Sequence, residues 1–290
     1  MEQEHTAVAL GIFDGVHTGH RSVISTAVRY AESESLISAV CTFDTASVNT
    51  KGAGYKPIYS DEQKRHILRS LGIGRILSLP FGEIRSLSAK EFLSEFVFGQ
   101  LGAVQVICGS DFRLGKGAEC GVTQLERLCR EFGAGLIVAD DVTDGGEKIS
   151  SARIRKLISE GNIEEANVLL GEDYTVHGEV VKGNMIGRKL DFPTANQIMD
   201  ADMVLPKFGV YASYAEIDGT VYKGVSNIGV KPTVGSDRPL CETHFPGYDG
   251  DLYSRMIDVR LTGFIRPEKR FSGLDELRVQ IALDTELALR

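Results

Sequence analysis

Five short apolar segments alternate with helical segments in the first half of the chain, and this alternation constrains the fold more than any other feature. Between the apolar segments, apolar residues recur at the three- and four-residue spacing of amphipathic helices. Strands joined through helices pair in parallel, so the pattern predicts an α/β domain with a doubly wound parallel sheet. The ligand site of such a sheet lies beyond the carboxyl ends of its strands. The five predicted strands are residues 8–11, 36–43, 75–79, 104–109 and 135–138.

The second half of the chain has a different pattern. After two helical segments, at 151–159 and 163–170, short β-type runs follow one another and are separated by turn signals such as Asp218-Gly219. This succession predicts a compact antiparallel β-barrel that is closed by a helix at 274–289. The predicted boundary falls at Gly171 and Glu172, which gives domains of 1–171 and 172–290. The predicted barrel strands are residues 174–181, 209–217, 221–228, 241–245 and 256–264.

Charge, cysteine spacing and hydropathy narrow the classes of partner. The 290 residues carry a formal net charge of −8, whereas nucleic-acid-binding surfaces are basic, so we expect no nucleic-acid partner. The five cysteines are scattered and include no CxxC pair, which argues against a disulfide framework or a zinc site and favours a reducing, cytoplasmic location. The N-terminal residues are acidic and polar, unlike a signal peptide, and no apolar run is long enough to span a bilayer, so we expect no membrane partner. The sequence leaves the oligomeric state open.

The stretch from residue 11 to residue 20 joins the first predicted strand to a helix. Two histidines, His17 and His20, fall at the start of that helix, where unpaired backbone N–H groups and the helix dipole favour an anion. Their ring N–H groups could stabilise the α-phosphate in a nucleotidyl transfer. The alternative is that one histidine caps the helix and the other packs. Gly19 lacks a Cβ and would let a phosphate approach the backbone. The other candidate nucleotide-binding residues of this stretch are Gly11, Phe13 and Asp14.

Two further stretches of the first half lie near the predicted binding edge of the sheet. The loop after the fourth strand contains Asp111, and the helix that begins near Ser151 carries Arg153 and Arg155, which could reach a triphosphate. The chain has neither a GxGxxG dinucleotide fingerprint nor a P-loop sequence. A mobile surface loop and an ordinary capped helix with solvated arginines are the alternative interpretations.

The second half contains a segment that is dense in glycine and polar residues. Gly183 and Gly187, with the neighbouring Arg188, can wrap phosphates through backbone N–H groups. Thr194 and Asn196 alternate by two, so on an extended segment their side chains share a face, and a hydroxyl with an amide oxygen suits Mg²⁺ carrying ATP phosphates. The alternative is a hairpin loop followed by a strand with proline at its edge.

Glu242 lies in a β-type run between apolar neighbours. If its carboxylate points into the barrel, it is a candidate general base. His244 lies two residues further on and therefore shares its face. The alternative is a solvated glutamate on the face of a strand.

Together these motifs resemble the prokaryotic bifunctional riboflavin kinase/FAD synthetase family over nearly the whole chain. Each block is short, but the number of blocks and their order make coincidence a poor explanation. The matching blocks include Gly11-x-Phe13-Asp14-Gly15-Val16-His17-x-Gly19-His20, Thr42-Phe43-Asp44, Gly109-x-Asp111-Phe112-Arg113, Ile149-Ser150-Ser151-x-Arg153-Ile154-Arg155, Gly187-Arg188, Phe192-Pro193-Thr194-Ala195-Asn196, Asn227-Ile228-Gly229, Glu242-Thr243-His244 and Arg266-Pro267-Glu268.

The resemblance implies a Rossmann-like FMN adenylyltransferase domain followed by a β-barrel flavokinase domain. Members of the family phosphorylate riboflavin with MgATP to FMN and then adenylylate FMN with a second ATP to FAD and pyrophosphate. By this resemblance, Thr194 and Asn196 would hold Mg²⁺ and the ATP phosphates, and Glu242 would take the proton from the ribityl hydroxyl.

For the first domain, the resemblance implies that His17 and His20 stabilise the α-phosphate, and that Ser151 and Arg155 contact the other phosphates. Three departures from the family pattern fall in this domain: Ile12 in place of the usual Asn, Thr45-Ala46-Ser47 in place of Pro-His-Pro, and Ala152 in place of the usual Thr. Asp191, where Gly is usual, is the main departure in the second domain.

Three functional hypotheses therefore remain open from the sequence. The first is a bifunctional enzyme that makes FMN and FAD. The second is an enzyme whose kinase works while its adenylyltransferase is weak or lost. The third is a regulator that binds flavin or nucleotide with little turnover.

Overall fold

The computed structural model describes residues 4–44, 55–183, 192–230 and 238–290. Its contacts divide the chain into two compact units, Met1–Ser151 and Ala152–Arg290. Within the described ranges, no helix combines the length and the hydropathy that crossing a membrane requires. Thr45, Ala46, Ser47, Gly187, Arg188 and Asp191 lie outside the described residues.

Five parallel strands form the sheet of the first unit, as the sequence predicts. They are β1 (Thr6–Leu10), β2 (Ile37–Phe43), β3 (Arg75–Leu79), β4 (Ala103–Gly109) and β5 (Gly135–Ala139). Their order in the sheet is β3-β2-β1-β4-β5, and every neighbouring pair is parallel. The direction of winding reverses between β1 and β4, so the topological switch point lies beyond their carboxyl ends. A short hairpin of β6 (Thr143–Asp144) and β7 (Glu147–Lys148) follows β5.

Helices cover both faces of this sheet. They are α1 (Thr18–Ser33), α2 (Asp61–Ser70), α3 (Phe81–Ile84), α4 (Ala89–Phe92), which continues as a π-helical turn over Leu93–Gln100, and α5 (Val122–Glu131). Ser60 caps α2 in a capping box with Gln63, and Ser88 caps α4 in a capping box with Glu91. β1 is buried along its whole length, with Val8 facing one apolar core and Ala7 the other, because helices lie on both faces.

The second unit is a closed antiparallel barrel of six strands. The strands are β8 (Tyr174–Val181), β9 (Thr194–Ile198), β10 (Gly209–Ile217), β11 (Thr220–Val230), β12 (Pro239–His244) and β13 (Met256–Pro267). Their order around the barrel is β10-β11-β12-β9-β8-β13. The predicted barrel is confirmed, and β9 is the strand that was absent from the predicted set.

Three helices belong mainly to the second unit: α6 (Ser151–Glu160), α7 (Ile163–Leu170) and α8 (Leu274–Leu289). Backbone and side-chain hydrogen bonds attach the first two to barrel segments. Lys207 N donates to the carbonyl of Ile158 at 3.2 Å, and the amide of Asn167 donates to the carbonyl of Leu261 at 2.9 Å. These contacts join α7 and nearly all of α6 to the barrel, so the second unit begins at Ala152, whereas the predicted boundary at Gly171 and Glu172 falls after α7.

The two faces of the barrel wall have different chemistry. Along β12, Cys241 and Thr243 are fully buried, whereas the alternate residues are only half-buried. Inside the barrel, the hydroxyl of Ser226 bonds to Ser213 at 2.8 Å and to Thr243 at 2.7 Å, which satisfies these buried polar groups. Because successive side chains of a strand point to opposite faces, Glu242 lies on the outer face.

Helix α8 covers part of the outer face. Ala288 packs against Val210 and Val225 there, and Arg266 of β13 forms a bidentate ion pair with Asp284 of α8, with Nε–Oδ1 and Nη2–Oδ2 distances of 2.9 and 2.6 Å. The side chain of Asp284 is only 4% exposed. The carboxylate therefore depends on the guanidinium for its charge balance.

We predict that Arg266→Leu lowers the free energy of unfolding of the barrel by about 3 kcal/mol, because it leaves the buried Asp284 charge uncompensated. Urea unfolding followed by tyrosine fluorescence measures this, since six of the nine tyrosines lie beyond residue 151. The double variant Arg266→Leu/Asp284→Leu should recover most of the loss, because an apolar pair needs no charge balance. A single variant within 1 kcal/mol of the wild type contradicts the assignment.

Candidate active sites in the two units

The first candidate site begins with a strained turn between β1 and α1, at the switch point. Phe13 and Val16 have φ angles of 53° and 40°, although both side chains are buried. Positive φ is unfavourable for a β-branched or bulky residue and costs roughly 1–3 kcal/mol. Such a conformation persists only where surrounding contacts hold it.

Side chains from other elements provide these contacts by bonding to the backbone of the turn. Thr42 Oγ1 donates to the carbonyl of Ile12 and Ser151 Oγ donates to the carbonyl of Asp14, each at 2.9 Å. The carboxylate of Asp14 accepts the backbone N–H of Ile58 at 2.9 Å. Three segments distant in sequence thus hold one turn of six residues.

His17 and His20 meet at the start of α1. Their rings stack with centroids 3.6 Å apart and an interplanar angle of 19°, and the edge of His20 meets Phe13. His17 is the N-cap of α1, because its Nδ1 accepts the backbone N–H of His20 at 3.3 Å. Gly19 makes room for this cap, since a Cβ on Gly19 would lie 3.2 Å from the His17 ring.

The capping hydrogen bond also decides the protonation of His17. A ring nitrogen that accepts a hydrogen bond carries no proton, so the neutral ring carries its proton on Nε2. Burial lowers the pKa of His17 to about 4, and the negative charge of Asp111 opposes this only in part. At neutral pH, His17 is therefore an uncharged N–H donor through Nε2.

His20 is held neutral by its surroundings. Burial lowers its pKa well below the ordinary value, and positive charge on His17 or Lys64 would lower it further. Its Nδ1 is buried and has no hydrogen-bond partner in the described part of the chain. A buried polar atom of this kind costs free energy unless a ligand or water satisfies it.

A charged cluster lies beside His17 at the carboxyl ends of β4 and β5. Lys148 of β7 contacts Asp111 at 3.2 Å and Asp141 at 2.8 Å. Ser110 joins them, donating to Asp141 at 2.7 Å. Asp111 thus lies at the predicted edge of the sheet, with a lysine as its partner.

Lys64 of α2 is a buried cation whose charge acts on His20. Its residue is 4% exposed; its Nζ donates to the carbonyl of Phe43 at 2.6 Å and pairs with Asp61 at 3.2 Å. Burial lowers its pKa, and Asp61 opposes that shift. Its bond to Phe43, the last residue of β2, places Lys64 at the carboxyl end of the strand next to β1.

Three further residues that the sequence predicts for this site, Ser151, Arg153 and Arg155, belong to α6. Ser151 is the first residue of α6 and bonds to Asp14, as described above. Arg153 and Arg155 lie two and four residues further along the same helix. The turn also contains Gly11, whose missing Cβ leaves room for the ring of Phe13.

The second candidate site is a row of polar side chains on the outer face of the barrel. In the ladder between β9 and β12, Asn196 pairs with Glu242 and Thr194 pairs with His244. Across the next ladder, Glu242 pairs with Asn227 of β11. Directly paired residues share a face and lie about 5 Å apart at Cα. We call Thr194, Asn196, Asn227, Glu242 and His244 the outer-face patch.

The outer-face patch changes one expectation for Glu242. From the sequence, Glu242 was a candidate base only if its side chain pointed into the barrel. The alternation of side chains along β12 points it outward instead. It shares the outer face with Asn196, which is 6% exposed and buried there. The nearby Gly183 leaves room for the Asn196 amide, because a Cβ on Gly183 would lie 2.8 Å from Nδ2.

A cleft of about 170 Å³ opens beside Thr194 and Asn196. Gly183, Pro193 and the segment 248–253 also line the cleft. The predicted phosphate-binding and metal-binding residues of the described segment therefore meet at one cleft, one strand away from Glu242. Gly187 and Arg188, predicted for the same site, lie outside the described residues.

Comparisons with known proteins match the two regions separately. Residues 1–153 match the family model described as FAD synthetase, and residues 170–290 match the model described as riboflavin kinase. The bifunctional riboflavin kinase/FMN adenylyltransferase of Bacillus subtilis (strain 168) is 37% identical over 297 residues, which cover 100% of this chain and 93% of that protein. The chain belongs to the bifunctional riboflavin kinase/FMN adenylyltransferase family.

Two other known proteins are similar to this chain over nearly its full length. The Escherichia coli (strain K12) protein of the same description is 34% identical over 99% of this chain and 93% of its own length. A crystal structure described as a macrolide-efflux protein from Streptococcus pneumoniae superposes with a TM-score of 0.88 at 27% identity, covering 100% of this chain and 95% of that one. The fold observed in the two units is thus one that a solved structure also has.

Several residues near the two candidate sites were not predicted from the sequence. Lys64 and Leu68 lie on the buried face of α2, so a lysine at a core position of an amphipathic helix was the available signal. Lys148 stands two residues before Ser150 on a strand too short to predict. Asn227 belongs to a matching block, but only the pairing of β11 with β12 brings it to Glu242.

We predict that acid destabilises the first unit through His17. In the unfolded chain a histidine has a pKa near 6.5, so from pH 7 to pH 5 the unfolded state binds a proton that the folded state, with its pKa of about 4, does not. Stability is complete above pH 6.5 and falls with pH, by about 2 kcal/mol at pH 5 from this residue.

His17→Asn is the matched control, because Asn retains a capping side-chain oxygen but does not titrate. Urea unfolding at pH 7 and pH 5, followed by circular dichroism, should show a smaller loss in this variant. Equal pH dependence in the two proteins contradicts the assignment of a neutral His17.

Proposed function

We propose that this protein phosphorylates riboflavin with ATP to give FMN, and then transfers the AMP of a second ATP to FMN to give FAD and pyrophosphate. The observation that carries the proposal is that one chain contains both family regions, each with its own candidate site. We assign FMN adenylyltransferase to residues 1–171 and riboflavin kinase to residues 172–290.

In the kinase reaction, Glu242 acts as the general base. Its carboxylate accepts the proton of the riboflavin 5′-hydroxyl, whose oxygen attacks the γ-phosphorus while the bond to the β,γ-bridging oxygen breaks and ADP leaves. The pairing of Glu242 with Asn196 supports this role, because it sets the base one strand from the phosphate-binding cleft. A positioned base contributes roughly 10²–10⁴ in rate.

Thr194 and Asn196 are the residues that we propose to hold Mg²⁺ with ATP. Their hydroxyl and amide oxygens are hard donors, and Mg²⁺ commonly takes one or two protein oxygens while phosphates and waters complete its shell. Asn196 Nδ2 donates to the carbonyl of Thr194 at 3.3 Å, which leaves Oδ1 as the end of the amide that can bind a cation. The ion would neutralise charge on the β- and γ-phosphates.

In the adenylyltransferase reaction, the proposed role of His17 and His20 is to donate hydrogen bonds to the α-phosphate. A phosphate oxygen of FMN attacks the α-phosphorus, and the bond to the α,β-bridging oxygen breaks as pyrophosphate leaves. The proton on His17 Nε2 and the buried Nδ1 of His20 support this role, because both provide neutral polar groups at the switch point. Gly11, Phe13, Asp14, Gly19 and Asp111 shape the same site, and Arg153 and Arg155 are proposed phosphate contacts.

The environment of the cysteines supports a cytoplasmic location for this activity. All five are buried free thiols, as expected in a reducing compartment. Burial raises the pKa of Cys41 and of Cys108 to about 12, so these thiols stay protonated and unreactive.

We predict that Glu242→Gln lowers the rate of FMN formation from riboflavin and MgATP by roughly 10²–10⁴, because the amide cannot accept the hydroxyl proton. Chromatography of the flavin products measures the rate. FAD formation from supplied FMN should be unchanged, and Glu216→Gln, at an exposed position of β10, is the matched control. An unchanged FMN rate in Glu242→Gln removes Glu242 from the mechanism.

We predict that His20→Ala lowers the rate of FAD formation from FMN and ATP by roughly 10²–10³, the effect of removing one donor to the transition state. The kinase rate should be spared. His66→Ala, at an exposed position of α2, should change neither rate. An undiminished FAD rate in His20→Ala would count against the site.

The wild-type product profile separates the second candidate function from the first. Ile12 offers a hydrocarbon side chain at the mouth of β1, where the family usually has a donor and an acceptor. Accumulation of FAD supports the bifunctional enzyme. FMN alone supports a kinase whose adenylyltransferase is lost, and neither product supports a binding protein with little turnover.

A further inference from the structure

We propose that His244 is a positioning residue of the kinase site, and that its imidazole fixes the start of β9 and thereby the place of the Thr194 hydroxyl. The inference rests on the proposed kinase function of the outer-face patch. It adds a residue that acts through Thr194 rather than on the substrate.

The first observation is a hydrogen bond from the ring to the backbone. His244 Nδ1 lies 2.9 Å from the carbonyl oxygen of Pro193. A carbonyl oxygen can only accept, so Nδ1 carries the proton and donates it. Burial lowers the pKa of His244, which keeps the ring neutral at pH 7 and leaves Nε2 as the acceptor.

The second observation is where this hydrogen bond falls in the ladder. His244 and Thr194 form the last pair between β12 and β9. Pro193 precedes Thr194 and has no backbone N–H, so it cannot donate another ladder bond. The bond from His244 extends the restraint one residue beyond the end of the ladder.

The third observation is a ring contact at the next residue. Phe192 meets the ring of His244 at a centroid distance of 5.2 Å and an interplanar angle of 83°. His244 thus holds three successive residues: Phe192 by an edge-to-face contact, Pro193 by a hydrogen bond and Thr194 by cross-strand pairing.

These three contacts restrain one wall of the cleft. Pro193, Thr194 and Asn196 all line it. If the ring is lost, the start of β9 is released, and Thr194 moves more than Asn196, which lies deeper in the strand. The loss should therefore fall on the binding of MgATP, whereas the reacting hydroxyl of riboflavin and its base are less affected.

Three substitutions at one position test the inference. In His244→Asn, the side-chain amide nitrogen takes the place of Nδ1 and can still donate to Pro193, whereas in His244→Gln the amide lies near the position of Nε2. We expect His244→Gln and His244→Ala to raise the KM for MgATP about fivefold to tenfold, the worth of one hydrogen bond, with a smaller change in kcat. His244→Asn should recover most of the wild-type KM, and the KM for riboflavin should stay within about twofold in all three.

Two outcomes overturn the proposal: a KM for MgATP in His244→Gln equal to that in His244→Asn, or a loss confined to kcat. Urea unfolding followed by tyrosine fluorescence, which reports mainly on the barrel, serves as the check that each variant is folded. If His244→Ala fails that check, the Asn and Gln variants decide. Glu242→Gln, assayed in parallel, distinguishes a failure of the proposed kinase site from a failure of the inference about His244. If Glu242→Gln keeps full kinase activity, the proposed kinase site fails. If it loses activity while the His244 variants match the wild type, only the present inference fails.

Discussion

At each candidate site, a backbone group decides which nitrogen of a histidine carries the proton. In the first unit, the N–H of His20 makes His17 Nδ1 an acceptor, so the proton is on Nε2. In the second unit, the carbonyl of Pro193 makes His244 Nδ1 a donor, so Nε2 is the acceptor. Because each hydrogen bond is made to a backbone group of the fold itself, these opposite tautomers are set before any ligand binds. One ring is thereby suited to donate to a phosphate, and the other to hold a strand.

The turn that precedes His17 and His20 is held by hydrogen bonds whose free energies are similar in size to the cost of its backbone strain. Two residues at positive φ cost roughly 1–3 kcal/mol each. The hydrogen bonds from Thr42, Ser151, Arg21 and Ile58 to the turn each contribute about 0.5–1.5 kcal/mol, which is of similar size. The strain is therefore affordable only when distant segments of the first unit are all in place. Ser151, which the resemblance implies as a phosphate contact, donates its hydroxyl to the carbonyl of Asp14 and so helps to hold the turn that precedes His17.

The architecture could be predicted because it depends on the spacing of apolar residues and turn residues within each segment. The apolar runs and turn signals predicted five parallel strands, the barrel and the terminal helix, because these features depend on spacing within one segment. The missed strand, Thr194–Ile198, is short, polar and next to proline, so its own sequence carries little β signal. The meeting of Asn227, Asn196 and Glu242 depends on which strands pair and in which register, and neither is encoded in the spacing of any one segment. The effect of the Lys64 charge on the pKa of His20 likewise depends on tertiary packing.

The outward orientation of Glu242 follows from the size of the barrel. A barrel of about eight strands has an interior just wide enough for its own side chains, and this one has six. Its interior is filled by residues such as Tyr211 and Val259 and by the bonded hydroxyls of Ser213, Ser226 and Thr243. A substrate must therefore bind outside the wall, and helix α8 already covers the surface around Val210 and Val225. A carboxylate pointing inward would have been buried without a substrate to act on, so the outer face that sequence reasoning set aside is the one on which this base can work.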